Sequence, residues 1–449
     1  MGRCRKGRRT ARMDDLTDDD TMSIASTVSS SDYNNGPEVE GEFDESTLMD
    51  QYVEALYQKR ASMREAGLKG LIDAFTSAVL TDFAEDQCET LANRFINSIK
   101  VGSGSEIAQG ARALGLLAFT AGAGSSAQQI LTDATPHLWK VARVGNSPAA
   151  RSSCLETLGL LAFIGASDLG ATEATMETLW SIVNHTHSSE DQKTGINFPP
   201  SSARVSALMA WSLLLSTVDP RRVSSSHLQS SVSVLSGLLK NEDLAVRTAA
   251  GESIALLYEM TNSLGSAEDV EDTVDDLVPP VSTSINPRVA TGARATISED
   301  EVVEQMKTLS VHAGGKGQPK KERAVQRSSF RELLAAIEDG VAPQVSVKLP
   351  AGNALKFNSW TEIIQLNVIR RFLGEGFQTH MQGNPLLHEI FDFVPQAEKR
   401  KTLSTKEKRM LQSPNSIVSK ARTEVMNRRR QNSRVQKMGG FSANGHDSD

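Results

Sequence analysis

The feature that most constrains the fold is a helical pattern that repeats between residues 48 and 262. The string GLLAF at residues 115–119 returns at residues 159–163, a shift of 44 positions. Aligned segments then start at offsets of 43, 44, 53 and 43 residues, at Arg64, Ile107, Arg151, Arg204 and Arg247. A period of roughly 40–47 residues is typical of HEAT and armadillo repeats. The pattern therefore predicts an α-solenoid.

The aligned segments share one apolar helix face, because their matching positions are spaced by three, four and seven residues. Three positions after each start the residue is small: Gly67, Gly110, Cys154, Ala207 and Ala250. Seven positions after each start it is large and apolar: Leu71, Leu114, Leu158, Trp211 and Ile254. Small residues at fixed places allow neighbouring helices to approach closely. The longer offset predicts an insertion at 185–200, which is polar and ends in two prolines.

Charge is distributed very unevenly along this chain, whose net charge is −7. Residues 1–12 carry six basic side chains and no acidic one, whereas residues 13–50 carry twelve acidic side chains and no Lys or Arg. Residues 396–437 hold thirteen basic side chains against three acidic ones, a net charge of +10. Segregation of this kind indicates charged partners more directly than the total charge does.

Composition and pattern together divide the chain into five parts. They are an acidic, Ser-rich N-terminus predicted to be disordered (1–47), the helical-repeat domain (48–262), an acidic linker (263–297), a compact C-terminal module (298–395) and a basic tail (396–449). The fold class predicted is mainly α, a HEAT/armadillo-like α-solenoid followed by a small α+β module and a basic helical or disordered tail.

Within the module, local signals predict helices and one β-hairpin. A helix is expected over 298–311 and another over 329–339, the second closed by Gly340. Alternating apolar residues at 345–349 and 354–357 flank a Pro-Ala-Gly-Asn turn, which predicts the hairpin. Ser359 and Glu362 form a capping box that starts a long helix at Trp360.

No set of residues supports catalysis, a metal site or a cofactor. The three cysteines form no CxxC pair, which favours a reducing compartment over a disulfide framework. His185 and His187 lack further ligands at metal-binding spacing, and the string GGKG at 314–317 lacks the Ser or Thr of a phosphate-binding loop. His380 and His388 are interpreted as packing or surface residues. We therefore predict no enzyme activity, no cofactor and no small-molecule substrate.

Membrane insertion is not expected either, because no run of about 18 apolar residues and no apolar signal segment is present. We expect a protein of the cytoplasm and nucleus.

The basic tail is the best candidate for a functional site, because Lys and Arg bind phosphates through charge and counterion release. No helix-turn-helix, zinc-finger or basic-zipper pattern is present, which favours RNA over DNA. A nuclear-import or solubilising role is the alternative. The residues expected to contact RNA are Lys399, Arg400, Lys401, Lys420, Arg422, Arg428, Arg429, Arg430, Arg434 and Lys437.

The sequence resembles the interferon-related developmental regulator family over almost its whole length. The matching strings are RSSFR at 327–331, LKFNSW at 355–360, FQTHMQ at 377–382, NPLL at 384–387 and KART at 420–423. The resemblance implies a non-catalytic regulator. It implies either a factor that binds inactive ribosomes through its C-terminal helix, or a transcriptional co-regulator that works with histone deacetylase complexes.

The sequence and the resemblance together predict that the tail enters an rRNA-lined channel and represses translation by occlusion. One face of the repeat array is expected to dock a protein or ribosomal surface. The alternative is a nuclear scaffold that recruits a repressor complex.

Overall fold

The structure, a computed structural model, describes residues 45–185, 199–268, 299–311, 320–349 and 354–395. The helices of the repeat region are α1 Glu45–Ala55, α2 Ala61–Ser77, α3 Thr81–Asp86, α4 Cys88–Val101, α5 Gly104–Ala121, α6 Ser125–Val144, α7 Pro148–Gly165, α8 Leu169–Val183, α9 Ser201–Leu215, α10 Ser225–Leu238 and α11 Leu244–Glu268. A short 3₁₀ helix, Pro220–Arg222, precedes α10.

These helices pack as five successive pairs in the described part of the chain: α1 with α2, α4 with α5, α6 with α7, α8 with α9, and α10 with α11. The second helices of the pairs also pack side by side in the order α2, α5, α7, α9 and α11. We call these five helices the stacked row. The α-solenoid predicted from the repeat is confirmed.

Small residues of the repeat lie at close contacts between helices: Gly67 faces α1, Gly110 faces α4, and Gly159 of the second GLLAF string faces α9. A Cβ atom on Gly159 would overlap the side chain of Ala210 and lie 3.0 Å from its Cα atom. Buried hydroxyl groups also join neighbouring helices: Thr157 donates to the carbonyl of Ala111 over 2.9 Å, and the Ser212 and Ser253 hydroxyls are 2.8 Å apart. Close approach of the backbones therefore explains the small-residue positions.

The arginines that start the repeats bind backbone carbonyls of the chain that precedes their helix. Arg151 Nε donates to the carbonyl of Ala142 over 2.8 Å, and Arg247 Nη1 donates to the carbonyls at 241 and 242 over 2.7 and 2.8 Å. Arg64 donates to two turn carbonyls and also forms a bidentate pair with Glu106, at 2.7 and 2.9 Å. Guanidinium suits this role because its fork of donors satisfies several carbonyl groups at once.

A further helix pair continues the array. Helix α12 Glu299–Val311 packs against α13 Lys320–Glu338, and α13 packs against α11. Arg247 Nη2 donates to Gln326 Oε1 over 2.7 Å in the buried contact between α11 and α13. Phe330 and Leu333 cover Gly251 of α11. Helix α13 begins nine residues earlier than the helix predicted over 329–339, since its N-terminal turns are rich in Lys and Arg and give no apolar period.

The remaining described elements are β1 Val345–Lys348, β2 Ala354–Phe357, α14 Trp360–Leu373, the 3₁₀ helix Gly374–Gly376, α15 Phe377–Gly383 and α16 Pro385–Ile390. The strands pair antiparallel with Val347 opposite Leu355, which confirms the hairpin. Ser359 Oγ accepts from the amide of Glu362 over 3.2 Å, as the capping box requires. The Glu362 carboxylate returns to the amide of Asn358, one residue before the expected one.

Candidate partner-binding surface

Helices α14 to α16 lie across the stacked row and form an interface that we call the seam. Helix α14 contacts α11 and α9, and the 3₁₀ helix that follows it contacts α2. The chain therefore returns from the C-terminal end of the repeat domain to its N-terminal end. Gly376 makes this return possible, because any Cβ atom at this position would collide with the carbonyl group of Thr76.

One end of the seam is a carboxylate that caps a helix. Glu259 of α11 accepts hydrogen bonds from the backbone amides of Trp360 and Thr361, at 2.5 and 3.1 Å, and from the Thr361 hydroxyl at 2.9 Å. The first amides of a helix have no partner within the helix and carry a partial positive charge. A carboxylate from the repeat domain therefore fixes the place where α14 starts.

The middle of the seam combines polar and aromatic contacts. Arg112 Nη2 donates to the carbonyl of Phe372 over 3.0 Å, and its guanidinium carbon lies 5.8 Å from the centre of the Phe372 ring. The same ring packs on Gly115, where a Cβ atom would lie 2.6 Å from it. Arg371 pairs with Glu156 at 3.2 Å on the exposed side. The glycine of the GLLAF string thus makes room for the ring of a residue from the C-terminal module.

The other end of the seam is a buried network around His380. Its Nε2 atom lies 2.8 Å from the carbonyl of Phe75, so Nε2 carries the proton and donates it. The amide of Asn384 lies 3.2 Å from the carbonyl of Phe119 and 3.3 Å from Nδ1 of His380. Burial holds the pKa of His380 below its usual range, although the hydrogen bond to Phe75 acts in the opposite direction. Burial thus favours the neutral imidazole of His380, whose hydrogen bond to Phe75 joins α15 to α2.

The chain after the network is also anchored. The ring of Phe391 packs edge-to-face on Phe357 and Phe377, with centroids 5.4 and 6.4 Å apart. The Nε2 atom of His388 lies 3.0 Å from the carbonyl of Met381. The chain is therefore held by packing contacts shortly before residue 395, the last described residue. We call this packed segment the base of the tail.

The seam covers much of the stacked row with the protein's own helices. From the sequence we predicted that one face of the repeat array docks a protein or ribosomal surface. A partner that docks on the array must use another surface or displace α14 to α16. None of the four residues that hold the seam, Glu259, Arg112, His380 and Asn384, was singled out for this role from sequence. The strings FQTHMQ and NPLL contain the last two, but they carry no periodic signal.

The described residues offer no grouping of three His, Cys, Asp or Glu side chains suited to a metal ion. Burial raises the pKa of the Cys154 thiol to about 12, so the thiolate form is strongly disfavoured. Burial also raises the pKa of Cys88. In the part of the chain that the structure covers, no helix combines the length and apolarity needed to cross a membrane.

The ten tail residues predicted to contact RNA lie outside the described residues. These are Lys399, Arg400, Lys401, Lys420, Arg422, Arg428, Arg429, Arg430, Arg434 and Lys437. The acidic N-terminus at 1–44 and most of the predicted insertion also lie outside.

The fold and the seam define a helical-repeat protein whose own C-terminal helices are built into the array. Residues 20–338 match the family described as interferon-related developmental regulator, and residues 384–434 match its companion, the interferon-related protein conserved region. The chain belongs to this family. The second match includes nine of the ten tail residues named above, all except Lys437.

Relatives with curated names support the same assignment. Interferon-related developmental regulator 1 of Sus scrofa is 29% identical over 345 residues, which is 76% of this chain and 70% of the relative. Interferon-related developmental regulator 2 of Mus musculus is 29% identical over 389 residues, 84% of this chain and 80% of the relative. These relatives are named as regulators and not as enzymes. Among solved structures, an engineered protein aligns with a TM-score of 0.40 and 12% identity, over 65% of this chain and 99% of that one.

Proposed function

We propose that this protein is a non-catalytic regulator of gene expression that binds ribosomes through its basic tail and represses translation by occlusion. The observation that carries the proposal is the tail's charge, thirteen basic against three acidic side chains over residues 396–437. Charge of this density attracts the phosphates of rRNA and gains from counterion release. A tail held in an RNA-lined channel excludes mRNA or tRNA and needs no chemistry.

The packed base of the tail supports this proposal. The network of His380 and Asn384 and the stacking of Phe391 fix the chain just before the tail starts. A tail that leaves from a fixed point loses less freedom on entering a channel than a tail on a loose hinge. The seam would then position the tail, and the tail would supply most of the charge.

The test is sedimentation of cell extract that contains the tagged full-length chain. A tail variant removes three positive charges, by Arg428→Gln, Arg429→Gln and Arg430→Gln. A matched control removes three from the N-terminal basic cluster, by Arg3→Gln, Arg5→Gln and Arg8→Gln. We expect the wild type and the control to travel with ribosomal particles and the tail variant to stay at the top of the gradient.

Failure of all three proteins to travel with ribosomes would refute the translational role. The nuclear alternative, a scaffold that recruits a repressor complex, predicts retention in nuclei that survives ribonuclease treatment. Fractionation of the same cells before and after ribonuclease therefore separates the two functions.

A further inference from the structure

A stripe of exposed basic side chains runs along helix α13, which packs on the last helix of the stacked row. Its members are Lys320, Arg323, Arg327 and Arg331, all exposed. They are spaced by three, four and four residues, so they share one side of the helix. We call them the α13 stripe. Lys321 adds a fifth exposed positive charge in the first turn of the helix.

Acidic side chains are kept away from the stripe. Residues 320–331 contain one acidic residue, Glu322, and the next is Glu332. Each residue of a helix turns by about 100°, so both carboxylates point about 140° away from the centre of the stripe. Glu338, further along, is paired with Lys307 at 2.8 Å. Within the described residues, none of the four stripe members makes an ion pair or a side-chain hydrogen bond.

The stripe stands on a rigid support. The buried side of α13 consists of Gln326, Phe330, Leu333, Ala336 and Ile337. Gln326 accepts from Arg247 at 2.7 Å and donates to the carbonyl of Leu309 at 3.4 Å, so it joins α13 to both neighbouring helices. A helix fixed in this way presents its charges with no cost of ordering its backbone on binding.

Four like charges in a row are unfavourable to each other, because side chains three and four residues apart on a helix are neighbours. A ligand with a matching row of negative charges relieves this repulsion. Members four residues apart lie about 6 Å from each other along the axis, a spacing similar to that of successive phosphates in a nucleic-acid strand. Three of the four are arginines, whose fork binds phosphate with two hydrogen bonds.

We propose that the α13 stripe binds the phosphate backbone of RNA as a second contact, separate from the tail. It extends the proposed function and rests on that function only in taking RNA as the ligand. Helix α13 packs on α11, whereas the network of His380 and Asn384 packs on α2 and α5, at the other end of the stacked row. Two contacts on one RNA surface raise the overall affinity by making the second binding step intramolecular.

The test is fluorescence anisotropy of a labelled single-stranded polyuridylate RNA with the full-length chain over a range of salt concentrations. The stripe variant carries Arg323→Gln, Arg327→Gln and Arg331→Gln. The matched control removes three exposed positive charges elsewhere on the array, by Lys69→Gln, Lys140→Gln and Arg222→Gln. The tail variant described above, alone and combined with the stripe variant, completes the set.

We expect the stripe variant to raise the Kd for RNA about tenfold at low salt and to lower the salt slope by roughly 2, because three phosphate contacts are lost. The control should bind as the wild type does, and the combined variant should bind more weakly than either parent. The substitutions of the stripe variant and of its control lie at exposed positions, so thermal unfolding of these two variants, monitored by circular dichroism, should be unchanged.

A stripe variant that keeps the wild-type Kd and salt slope overturns the proposal, even if it loses a protein partner, since the stripe would then be a protein-binding surface. The proposed function fails separately. If the wild type binds the RNA through the stripe but does not travel with ribosomes, the proposed translational role is refuted, whereas the proposal that the α13 stripe binds RNA is supported.

Discussion

Glu259 and Trp360, 101 residues apart in sequence, are joined by a hydrogen bond of 2.5 Å between a carboxylate oxygen and a backbone amide. The same carboxylate binds the amide and hydroxyl groups of Thr361. The first turn of α14 is thus completed by a side chain of the repeat domain. The fold of the C-terminal module depends at this point on the array, so the two parts should unfold together.

Replacing Glu259 with Ala should lower the free energy of unfolding by about 2 kcal/mol, because the charged acceptor of three hydrogen bonds is lost. Urea unfolding measures the change, and hydrogen exchange should speed up at the amides of Trp360 and Thr361. Glu177→Ala, at an exposed position of α8, is the control and should change neither quantity. Equal exchange in both variants would contradict the capping role.

Acidification should weaken the seam through His380, whose pKa is lowered by burial in the folded protein. In the unfolded chain this imidazole has its usual pKa of about 6.5, so as the pH falls it takes up a proton there before it does so in the folded protein. The free energy of unfolding therefore decreases as the pH falls from about 6.5 towards the lower pKa of the folded state. His380→Gln should remove this part of the pH dependence. Urea midpoints of the wild type and the variant at neutral and mildly acidic pH measure this difference. The same dependence of the midpoint on pH in both proteins would refute the role of His380.

Glu252 should act in the opposite direction. Part of this residue is exposed, yet protein surrounds its carboxyl group, and burial raises its pKa to about 7. The folded state therefore holds the proton more tightly than the unfolded state, and stability is lost as the pH rises from about 4.5 to about 7.

Glu252→Gln should consequently stabilise the protein by about 2 kcal/mol at pH values above about 8, and the gain should vanish below about pH 4.5. The same urea series measures it, with Glu177→Gln as the control. A gain that is independent of pH would show that the carboxyl group titrates normally.

Gly159 tests the packing of the stacked row. Gly159→Ala should destabilise by about 2 kcal/mol, because the new Cβ atom meets the backbone and side chain of Ala210. Gly237 of α10 is the matched control, since a Cβ atom there has no neighbour within 4 Å. Gly237→Ala should be neutral or stabilise by up to about 1 kcal/mol through helix propensity. Thermal unfolding of both variants decides, and equal effects would contradict close helix contact at Gly159.

Arg247 tests the attachment of the last helix pair. Arg247→Lys keeps the charge but loses the fork that reaches the carbonyls at 241 and 242 and the side chain of Gln326. We expect a loss of about 2 kcal/mol in the free energy of unfolding, because a buried acceptor is left without its donor. Arg222→Lys, at an exposed position, should have no effect. Faster proteolysis within α13 would locate the damage.

Local and periodic features were predictable from the sequence alone. The repeat of about 43 residues predicts the helix pairs, because the same face is buried in each of them. The hairpin follows from alternation and a turn, and the start of α14 follows from Ser359 and Glu362. The arginines at the repeat starts were visible as a pattern, but their hydrogen bonds to the preceding turns were not.

The seam was decided only by the tertiary structure. His380 meets the carbonyl of Phe75 across 305 residues, and Arg112 meets the carbonyl of Phe372 across 260. Every residue has a backbone carbonyl, so an acceptor of this kind leaves no mark in a sequence. Periodicity shows which side of a helix is buried, since burial repeats with each turn of the helix. It does not show which distant segment covers that side, because single long-range pairs do not repeat.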